Sequence, residues 1–281
     1  MNTRVISGEA VAKAVAELFT QANVYLPPDT EAALRAAART ETHAIAAFCL
    51  NMCLDNARAA REQGLPICQD TGLCCVYCEK GAFAAVHGGL QAAVNEGVRR
   101  ACEDGCLRAS MVRDPLRREN TGDNTPAALY LTEVPGDKLT LTVMPKGFGS
   151  ENMTRLFMLD PSASREDVIA KIAEAAGDAG SAPCPPVIVG AGLGGTADTC
   201  LALAKRQLLR AAGAPSADPY YAAMERDALA AVNALGIGAQ GMGGKTTALA
   251  VHIAASPTHI AGLPLGVAVG CWVTRHASAV I

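Results

Sequence analysis

Aromatic residues, charges and long hydrophobic runs are all scarce in this sequence. Phe, Trp and Tyr make up 4% of the 281 residues, 18% are charged, and the formal net charge is −3. Because nucleic-acid binding relies on a basic surface and on stacking aromatic side chains, we expect no nucleic-acid partner. The longest apolar stretches, residues 185–189 and 263–269, fall far short of the roughly 20 residues that a membrane helix needs, so we expect no membrane span.

A secretory signal is also lacking, since residues 1–19 contain no basic segment followed by an uninterrupted apolar run. We therefore expect a cytoplasmic protein. The sequence shows no internal repeat, no low-complexity tract and no long linker. With 50% of its residues hydrophobic, it is long enough to bury a substantial core. These features predict one domain that spans residues 1–281.

Hydrophobic periodicity predicts a chain that mixes helices and strands. Residues 8–64 have helical spacing, interrupted at Leu26-Pro27-Pro28-Asp29, which predicts two or three helices. Ser164 stands three residues before Asp167, as in a helix capping box. Further helices are expected at 83–106, 164–176, 196–212 and 220–235, and strands at 72–77, 139–144, 185–189 and 263–269. The predicted fold class is α+β (mixed α/β), a single domain with a mixed sheet flanked by helices.

Cysteine, in contrast, is abundant, with 11 residues. In a reducing compartment these residues serve as thiols, metal ligands or nucleophiles rather than as disulfides. Two pairs in helix-like segments suit core packing and could also share a ligand, namely Cys49 with Cys53 and Cys102 with Cys106. A third group can hold at most part of a site, because neighbouring strand residues point to opposite faces: Cys74, Cys75 and Cys78.

Three other cysteines lie in turns close to Pro or Gly, where core packing explains them poorly: Cys68, Cys184 and Cys271. Thiolates from three distant loops could hold a cubane iron–sulfur cluster in which one iron has no protein ligand. Their spacing along the chain is too long to form a motif by itself, so chemistry alone leaves this site as one possibility among several.

Two glycine-rich segments are predicted to be loops, and each could bind a nucleotide. Residues 190–195 (GAGLGG) fit G-x-G-x-x-G, but the positions about 20 residues downstream, around Arg210, hold no acidic residue for a ribose. Residues 236–247 contain Gly-Lys-Thr, but Ala239 occupies the position where a P-loop needs glycine. Both segments could instead bind an anion through backbone N–H groups or serve close packing. A nicotinamide-dependent oxidoreductase remains an alternative.

Seven longer motifs occur in order: PICQDTG (66–72), LRAS (107–110), NTGDNTPA (120–127), KGFGSEN (146–152), PCPPVIVGAGLGGT (183–196), GIGAQGMGGKTTALAVHI (236–253) and HIAGLP (259–264), the last followed by Cys271. Over about residues 40–276 they resemble the class I fumarase and tartrate dehydratase alpha-subunit family. The resemblance implies the fold of the N-terminal domain of class I fumarases, and a [4Fe-4S] cluster held by Cys68, Cys184 and Cys271 with its fourth iron open to substrate. The chain departs from the family at Phe148, where a third glycine is usual.

By the same resemblance, catalytic roles fall on Asp70 and His259, and substrate-binding roles fall on Gln69, Arg108, Gly147 and Gly149. The residue types suit the chemistry, because dehydration beside a carboxylate needs a base for the carbon-bound proton and a cation for the carboxylate. Arg108 can clamp a carboxylate, and His259 can donate to the same ligand or move a proton. Each also has a structural alternative: an ion pair for Arg108, a loop hydrogen bond for His259 and a helix cap for Asp70.

The implied reaction is the reversible hydration or dehydration of a small dicarboxylic acid, fumarate to malate first and tartrate to oxaloacetate next, catalysed by a hydro-lyase. Single-chain members of the family continue into a C-terminal domain. The resemblance therefore implies a separate beta subunit that completes the active site, in an α2β2 assembly. A catalytically degenerate binding or assembly subunit is the other alternative, although all the turn cysteines, Asp70, Arg108 and His259 are present.

Overall fold

Three helices follow one short strand at the start of the described chain, which comprises residues 3–281 of a computed structural model. These elements are β1 (Arg4–Ser7), α1 (Gly8–Val24), α2 (Pro28–Thr40) and α3 (Ala44–Gln63). The Ser7 hydroxyl accepts a hydrogen bond from the backbone N–H of Ala10 and so caps α1. Pro28 occupies the first turn of α2, where its missing N–H costs nothing. The predicted helices and the break between the first two are confirmed.

The remaining helices and strands alternate irregularly along the chain. They are β2 (Leu73–Gly81), β3 (Ala84–His87), α4 (Leu90–Asp104), β4 (Ala128–Val134), β5 (Leu139–Lys146), α5 (Phe148–Glu151), β6 (Arg155–Leu159), α6 (Arg165–Ala179), β7 (Val187–Gly194), α7 (Ala197–Gln207), α8 (Pro219–Asn233), β8 (Ala248–Ser256), β9 (Leu263–Gly270) and β10 (Ala277–Val280). The α+β fold class is confirmed. The capping box of α6, formed by Ser164 and Asp167, is confirmed as well.

The chain folds as two compact units, each assembled from separate segments. Unit 1 comprises the residues up to Leu26, Ala59–Phe148 and Arg275–Ile281. Unit 2 comprises Pro27–Arg58 and Gly149–Thr274. Residues of the predicted site occur in both units. The prediction of a single domain spanning 1–281 stays a prediction.

Unit 1 is built on a four-stranded sheet in the order β10-β5-β2-β4, with β2 antiparallel to β5 and parallel to β4. Helices α1 and α4 pack together, and α1 also contacts β5. The core between these elements includes Val11, Phe19, Val94 and Leu141, together with three thiols: Cys74, Cys78 and Cys102. These cysteines therefore serve packing. Cys106 differs from the packing prediction, because it lies beyond the end of α4 and is exposed.

Unit 2 is built on a second four-stranded sheet, in the order β6-β9-β7-β8. One face of β7 and β9 presents valine and leucine to α6 and α8. The other face presents glycine to α7. A Cβ on Gly190 would lie 2.1 Å from the carbonyl oxygen of Ala204, and one on Gly192 would lie 2.2 Å from that of Cys200. Glycine at these positions therefore allows α7 to lie directly on the strand.

Two predictions from the sequence are wrong in detail. The GAGLGG segment is not a loop, because residues 190–194 lie inside β7. The helix predicted at 83–106 begins only at Leu90, because β3 occupies its first part and Gly88 and Gly89 follow with φ of 84° and 91°. Among residues 3–281, no helix is both long enough and apolar enough to cross a membrane.

Candidate active site

The PICQDTG segment forms a tight turn just before β2 in unit 1. The Asp70 carboxylate accepts the backbone N–H of Gly72 through Oδ1 at 3.0 Å, which closes an Asx turn. The Cys68 thiol accepts the backbone N–H of Asp70 at 3.4 Å and donates to Oε1 of Gln69 at 3.5 Å. The structure thus brings the three predicted residues of this segment into one turn, with Gln69 exposed and Cys68 and Asp70 half-buried.

The KGFG segment meets this turn because β2 and β5 are paired up to Leu73 and Lys146. The backbone N–H of Phe148 donates to Asp70 Oδ2 at 2.9 Å. A Cβ on Gly147 would lie 3.0 Å from the same oxygen, and one on Gly72 would lie 2.5 Å from the backbone of Lys146. The close approach therefore requires small residues. The Phe148 side chain is 46% exposed, so this residue contributes to the contact through its backbone.

Asn124 ties the LRAS segment to the same turn. Its buried side chain accepts the backbone N–H of Ser110 at 2.9 Å and donates to the carbonyl oxygen of Gly72 at 3.0 Å. Asn124 has φ of 60°, a left-handed conformation that Asn tolerates better than most residues. The exposed Arg108 is therefore carried by a segment anchored beside Asp70. The sequence suggested no role for Asn124, although an Asn in a Gly- and Pro-rich loop is a recognisable turn signal.

Arg275 holds the backbone of the PICQDTG turn by a hydrogen bond. This role was not predicted from the sequence. The residue is 2% exposed, and its Nη2 donates to the carbonyl oxygen of Asp70 at 2.9 Å and to Oδ1 of Asn23 at 3.0 Å. Asn23 is also buried, and its carbonyl oxygen accepts the N–H of Ile67 at 2.9 Å. The only sequence signal was an arginine directly before the final strand-like residues. Hydrogen bonds from a charged donor are strong in a buried setting, so Arg275 fixes the backbone of the turn.

Cys184 and Cys271 meet at one end of the unit 2 sheet. Cys184 precedes β7 and Cys271 follows β9, and these antiparallel strands pair at Ile188 and Gly270. The N–H of Trp272 donates to the carbonyl oxygen of Cys184 at 3.2 Å, which joins the two turns directly. Cys184 is exposed and Cys271 is half-buried. The structure therefore brings two of the three predicted ligands, Cys184 and Cys271, close together within unit 2.

Cys53 of α3 lies near the same two cysteines and near Cys49. Burial first, and then the neighbouring thiols of Cys49, Cys184 and Cys271, together raise the pKa of Cys53 to about 12. Cys53 is buried, whereas Cys49 is half-buried. Gly149, also in unit 2, lies close to the turn that carries Cys184, because a Cβ added to Gly149 would lie 3.3 Å from the carbonyl oxygen of Ala182.

His259 lies at the opposite end of the unit 2 sheet. Its loop follows β8, and the Thr258 hydroxyl anchors that loop to the carbonyl oxygen of Gly195 at 3.0 Å. This end of β9 is separated from Cys271 by the strand's 8 residues, a length of about 25 Å. Within unit 2 the structure therefore does not bring His259 to Cys184 and Cys271. Its side chain is exposed, and Nδ1 accepts the N–H of Ala261 at 3.1 Å.

Comparison with known proteins identifies the family. Residues 12–280 match the family described as fumarate hydratase (Fumerase). The chain belongs to this family. It is 39% identical over 274 residues to a putative L(+)-tartrate dehydratase subunit alpha of Methanocaldococcus jannaschii, covering 95% of this chain and 96% of the relative. It is 27% identical over 270 residues to the L(+)-tartrate dehydratase subunit alpha of Escherichia coli K12, covering 95% and 89%.

As a member of the fumarate hydratase family, the chain is a hydro-lyase of the EC 4.2.1 type. Among residues 3–281, no three or more His, Cys, Asp or Glu side chains are placed to share one metal ion. A cubane cluster makes a different demand, because each thiolate binds its own iron at a separate corner. A cysteine binds the iron of such a cluster as its thiolate.

Burial divides the cysteines of this chain into two groups. It raises the pKa of Cys78 and Cys102 to about 11 and also raises the pKa of Cys74 and Cys200. A buried thiol resists the deprotonation that an iron ligand needs. Thiols with at least partial exposure are Cys49, Cys68, Cys106, Cys184 and Cys271. All the predicted cluster ligands belong to this second group.

Proposed function

We propose that this chain is the alpha subunit of a two-subunit, iron–sulfur-dependent hydro-lyase that adds water to, or removes it from, a small dicarboxylate. The observation that carries the proposal is the pair Cys184 and Cys271. These accessible thiols sit in adjoining turns at one sheet end, joined by the hydrogen bond from the Trp272 N–H to the Cys184 carbonyl. Membership in the fumarate hydratase family supports the same conclusion.

We propose Cys68, Cys184 and Cys271 as the ligands of a [4Fe-4S] cluster. Their donor chemistry fits, because all three are thiols with at least partial exposure, unlike the buried thiols of the unit 1 core. When bound, such a cluster supplies a Lewis acid for the substrate hydroxyl. Cys106 is also exposed, but it lies beyond the end of α4 and outside the turns described above.

The other proposed roles belong to side chains of unit 1. Arg108 binds a substrate carboxylate, since a guanidinium can engage both oxygens and fix the orientation. Asp70 holds or takes the carbon-bound proton, and the N–H groups of Gly72 and Phe148 keep its carboxylate in one orientation. Gln69 is held beside Cys68 by the thiol hydrogen bond, where it can contact the substrate. Gly147 and Gly149 remain proposed substrate-binding positions, and His259 remains a proposed catalytic residue.

We propose a beta subunit as the partner that completes the active site. The names of the relatives, which call them alpha subunits, support a second chain. An α2β2 assembly remains the proposed stoichiometry. We expect the isolated alpha chain, purified and reconstituted, to show little dehydratase activity. Full turnover by this chain alone would contradict the need for a partner.

Two substrates have separate support. The family description favours fumarate and malate, and the names of the relatives favour L(+)-tartrate. These substrates differ by a hydroxyl group, and a site that hydrogen-bonds a hydroxyl strongly rejects the analogue that lacks it. We therefore expect one of the two reactions to dominate by a wide margin in kcat/KM.

The test is anaerobic co-expression of this chain with its beta subunit, followed by iron and sulfide analysis and assays with fumarate, malate, L(+)-tartrate and D(−)-tartrate. We expect about four irons per alpha chain and dehydratase activity, both reduced by Cys68→Ser, Cys184→Ser or Cys271→Ser. Cys106→Ser is the matched control and should change neither quantity. A complex that turns over substrate with no iron, or that loses iron equally in the control, would contradict the proposal.

A further inference from the structure

The backbone of the Cys184 turn depends on one residue of a distant loop, Gln240. The carbonyl oxygen of Pro185, directly after Cys184, accepts two hydrogen bonds from this residue. The backbone N–H of Gln240 donates at 2.7 Å, and its side-chain Nε2 donates at 2.9 Å. A proline has no N–H of its own to hold the turn, so its carbonyl oxygen is the polar group available for anchoring.

Gln240 adopts a conformation that disfavours a side chain. Its φ is 54° and its ψ is 19°, in the left-handed region. The same loop has positive φ at five other positions, and each of them is glycine: Gly236, Gly238, Gly241, Gly243 and Gly244. Because glycine adopts this conformation without strain, a glutamine at position 240 carries a conformational cost that glycine would avoid. The contacts of the side chain account for its presence.

The side chain of Gln240 also reaches the thiol group of α3. Its Nε2 lies 3.8 Å from Sγ of Cys53, which is buried, while it donates to Pro185. One amide therefore links α3 to the turn that presents Cys184. The loop has two further contacts: the N–H of Gly238 donates to the hydroxyl of Thr247 at 3.1 Å, and Gly241 lies so close to Ser181 that an added Cβ would be 2.4 Å from the Ser181 Cβ.

We infer that Gln240 is a positioning residue for the cluster ligand Cys184. It acts through the Pro185 backbone, by holding the turn in the conformation that directs Sγ of Cys184. The inference rests on the proposed function, because it concerns the retention of the proposed iron–sulfur cluster. Cys184 itself has φ of 52°, so its turn also departs from ordinary backbone geometry and benefits from an external anchor.

The test uses the complex of this chain with its beta subunit, reconstituted anaerobically, and compares Gln240→Gly with Gln240→Glu. Gln240→Gly keeps the left-handed backbone and its N–H donor but removes the amide. Gln240→Glu keeps the size of the side chain and replaces the donor by an acceptor. Met242→Ala is the matched control, because Met242 belongs to the same loop and is 54% exposed. The readouts are iron content, the rate of cluster bleaching by an iron chelator, and the melting temperature of the cluster-free complex.

We expect chelator-induced bleaching to be about tenfold faster in Gln240→Gly and Gln240→Glu, a change of about 1.4 kcal/mol in the barrier to cluster loss, and unchanged in Met242→Ala. The melting temperature of the cluster-free Gln240→Gly complex should be no lower than that of the wild type, which separates positioning from folding. Bleaching at the wild-type rate in both Gln240 variants would overturn the inference and leave the proposed function intact. A wild-type complex that takes up no cluster would overturn both.

Discussion

The carboxylate of Asp70 accepts the backbone N–H of Phe148 at 2.9 Å, while its other oxygen accepts the N–H of Gly72. Two donors converge on one side chain from two different loops. The carboxylate is therefore both a proposed catalytic group and the link between the PICQDTG and KGFG segments. Substitutions at this link should change activity and stability together.

Asp70→Asn removes one of the two acceptors and places an amide N–H2 against a backbone donor. We expect the free energy of unfolding to fall by about 1.5–3 kcal/mol, as for the loss of a hydrogen bond to a charged group, and activity to be largely lost. Urea unfolding and an activity assay check this. Asp160→Asn is the control, because both bonds from Ser162 use Oδ1, which the amide retains. Equal destabilisation by the two substitutions would contradict the role of the double contact.

Gly147→Ala should impair catalysis with little effect on folding elsewhere. The added Cβ would lie 3.0 Å from Asp70 Oδ2, which forces the carboxylate or the KGFG backbone to shift by a few tenths of an ångström. Displacement of a reacting group by about 1 Å can cost roughly a hundredfold in rate, so a loss in kcat of about tenfold or more is expected.

Gly177→Ala is the matched control for that substitution. Gly177 lies inside α6, and its added Cβ would meet only Leu235 at 3.8 Å, an ordinary contact. The control should keep full activity and gain about 0.5–1 kcal/mol in stability. Full activity in Gly147→Ala would show that the Asp70 carboxylate tolerates the displacement.

His252 should make the protein less stable in mild acid. Its Nδ1 faces the carbonyl oxygen of Gln207 at 3.1 Å, so Nδ1 carries the proton, and its buried Nε2 has no hydrogen-bond partner among residues 3–281. Burial lowers the pKa of His252, and the charge of Arg210 lowers it further, against smaller opposite effects of the hydrogen bond to Gln207 and of the charges of Glu225 and Asp29. The folded protein therefore resists the proton that the unfolded chain binds below about pH 6.5.

The free energy of unfolding should accordingly decrease as the pH falls below about 6.5, by at most about 1.4 kcal/mol per pH unit for this group. Urea unfolding between about pH 5.5 and 7.5 measures the slope. His252→Asn supplies an amide N–H in place of Nδ1–H and should flatten the slope, whereas His87→Asn, at an exposed position, should leave it unchanged. An unchanged slope in His252→Asn would assign the acid sensitivity to other groups.

Gly190→Ala tests whether the GAGLGG segment serves packing or nucleotide binding. The added Cβ would lie 2.1 Å from the carbonyl oxygen of Ala204, so α7 must move away from β7. We expect a loss of stability of at least about 1–3 kcal/mol, as for an overpacked core. Gly262→Ala, whose Cβ would lie 4.0 Å from the nearest atom, should be nearly neutral. A fluorescence titration of the wild type with NADH should show no saturable binding, and tight binding would restore the nicotinamide alternative.

Local sequence patterns predicted the elements whose burial follows from their own periodicity. In helices α1 to α3, apolar residues recur at helical spacing. The capping box of Ser164 and Asp167 predicts the start of α6. Strand β8 was missed, because it directly follows the glycine-rich segment and has no turn signal of its own. The strand part of GAGLGG was misread as a loop, because glycine signals a turn locally, whereas here it makes room for α7.

The sequence proposed a set of candidate site residues but not their arrangement. That Cys184 and Cys271 adjoin, and that His259 lies at the other end of the same strands, follows from the antiparallel pairing of β7 and β9. No pattern within either strand specifies this pairing. The roles of Gln240 and Arg275 were not predicted for a related reason, because each side chain contacts the backbone of a residue distant in sequence. Gln240 donates to Pro185, and Arg275 donates to Asp70.

The segmented construction of unit 1 delays its completion during synthesis. Arg4 donates to the carbonyl oxygen of Ile281, 277 positions further along the chain, and β10 pairs with β5 only once residues 277–280 exist. At about 5–20 residues per second, Arg4 is synthesised tens of seconds before Ile281, whose carbonyl oxygen accepts its hydrogen bond. Arg275, which anchors the Asp70 turn, is likewise synthesised 205 residues after Asp70. A nascent chain therefore carries Cys68 long before Arg275 can hold the backbone of the turn in which Cys68 lies.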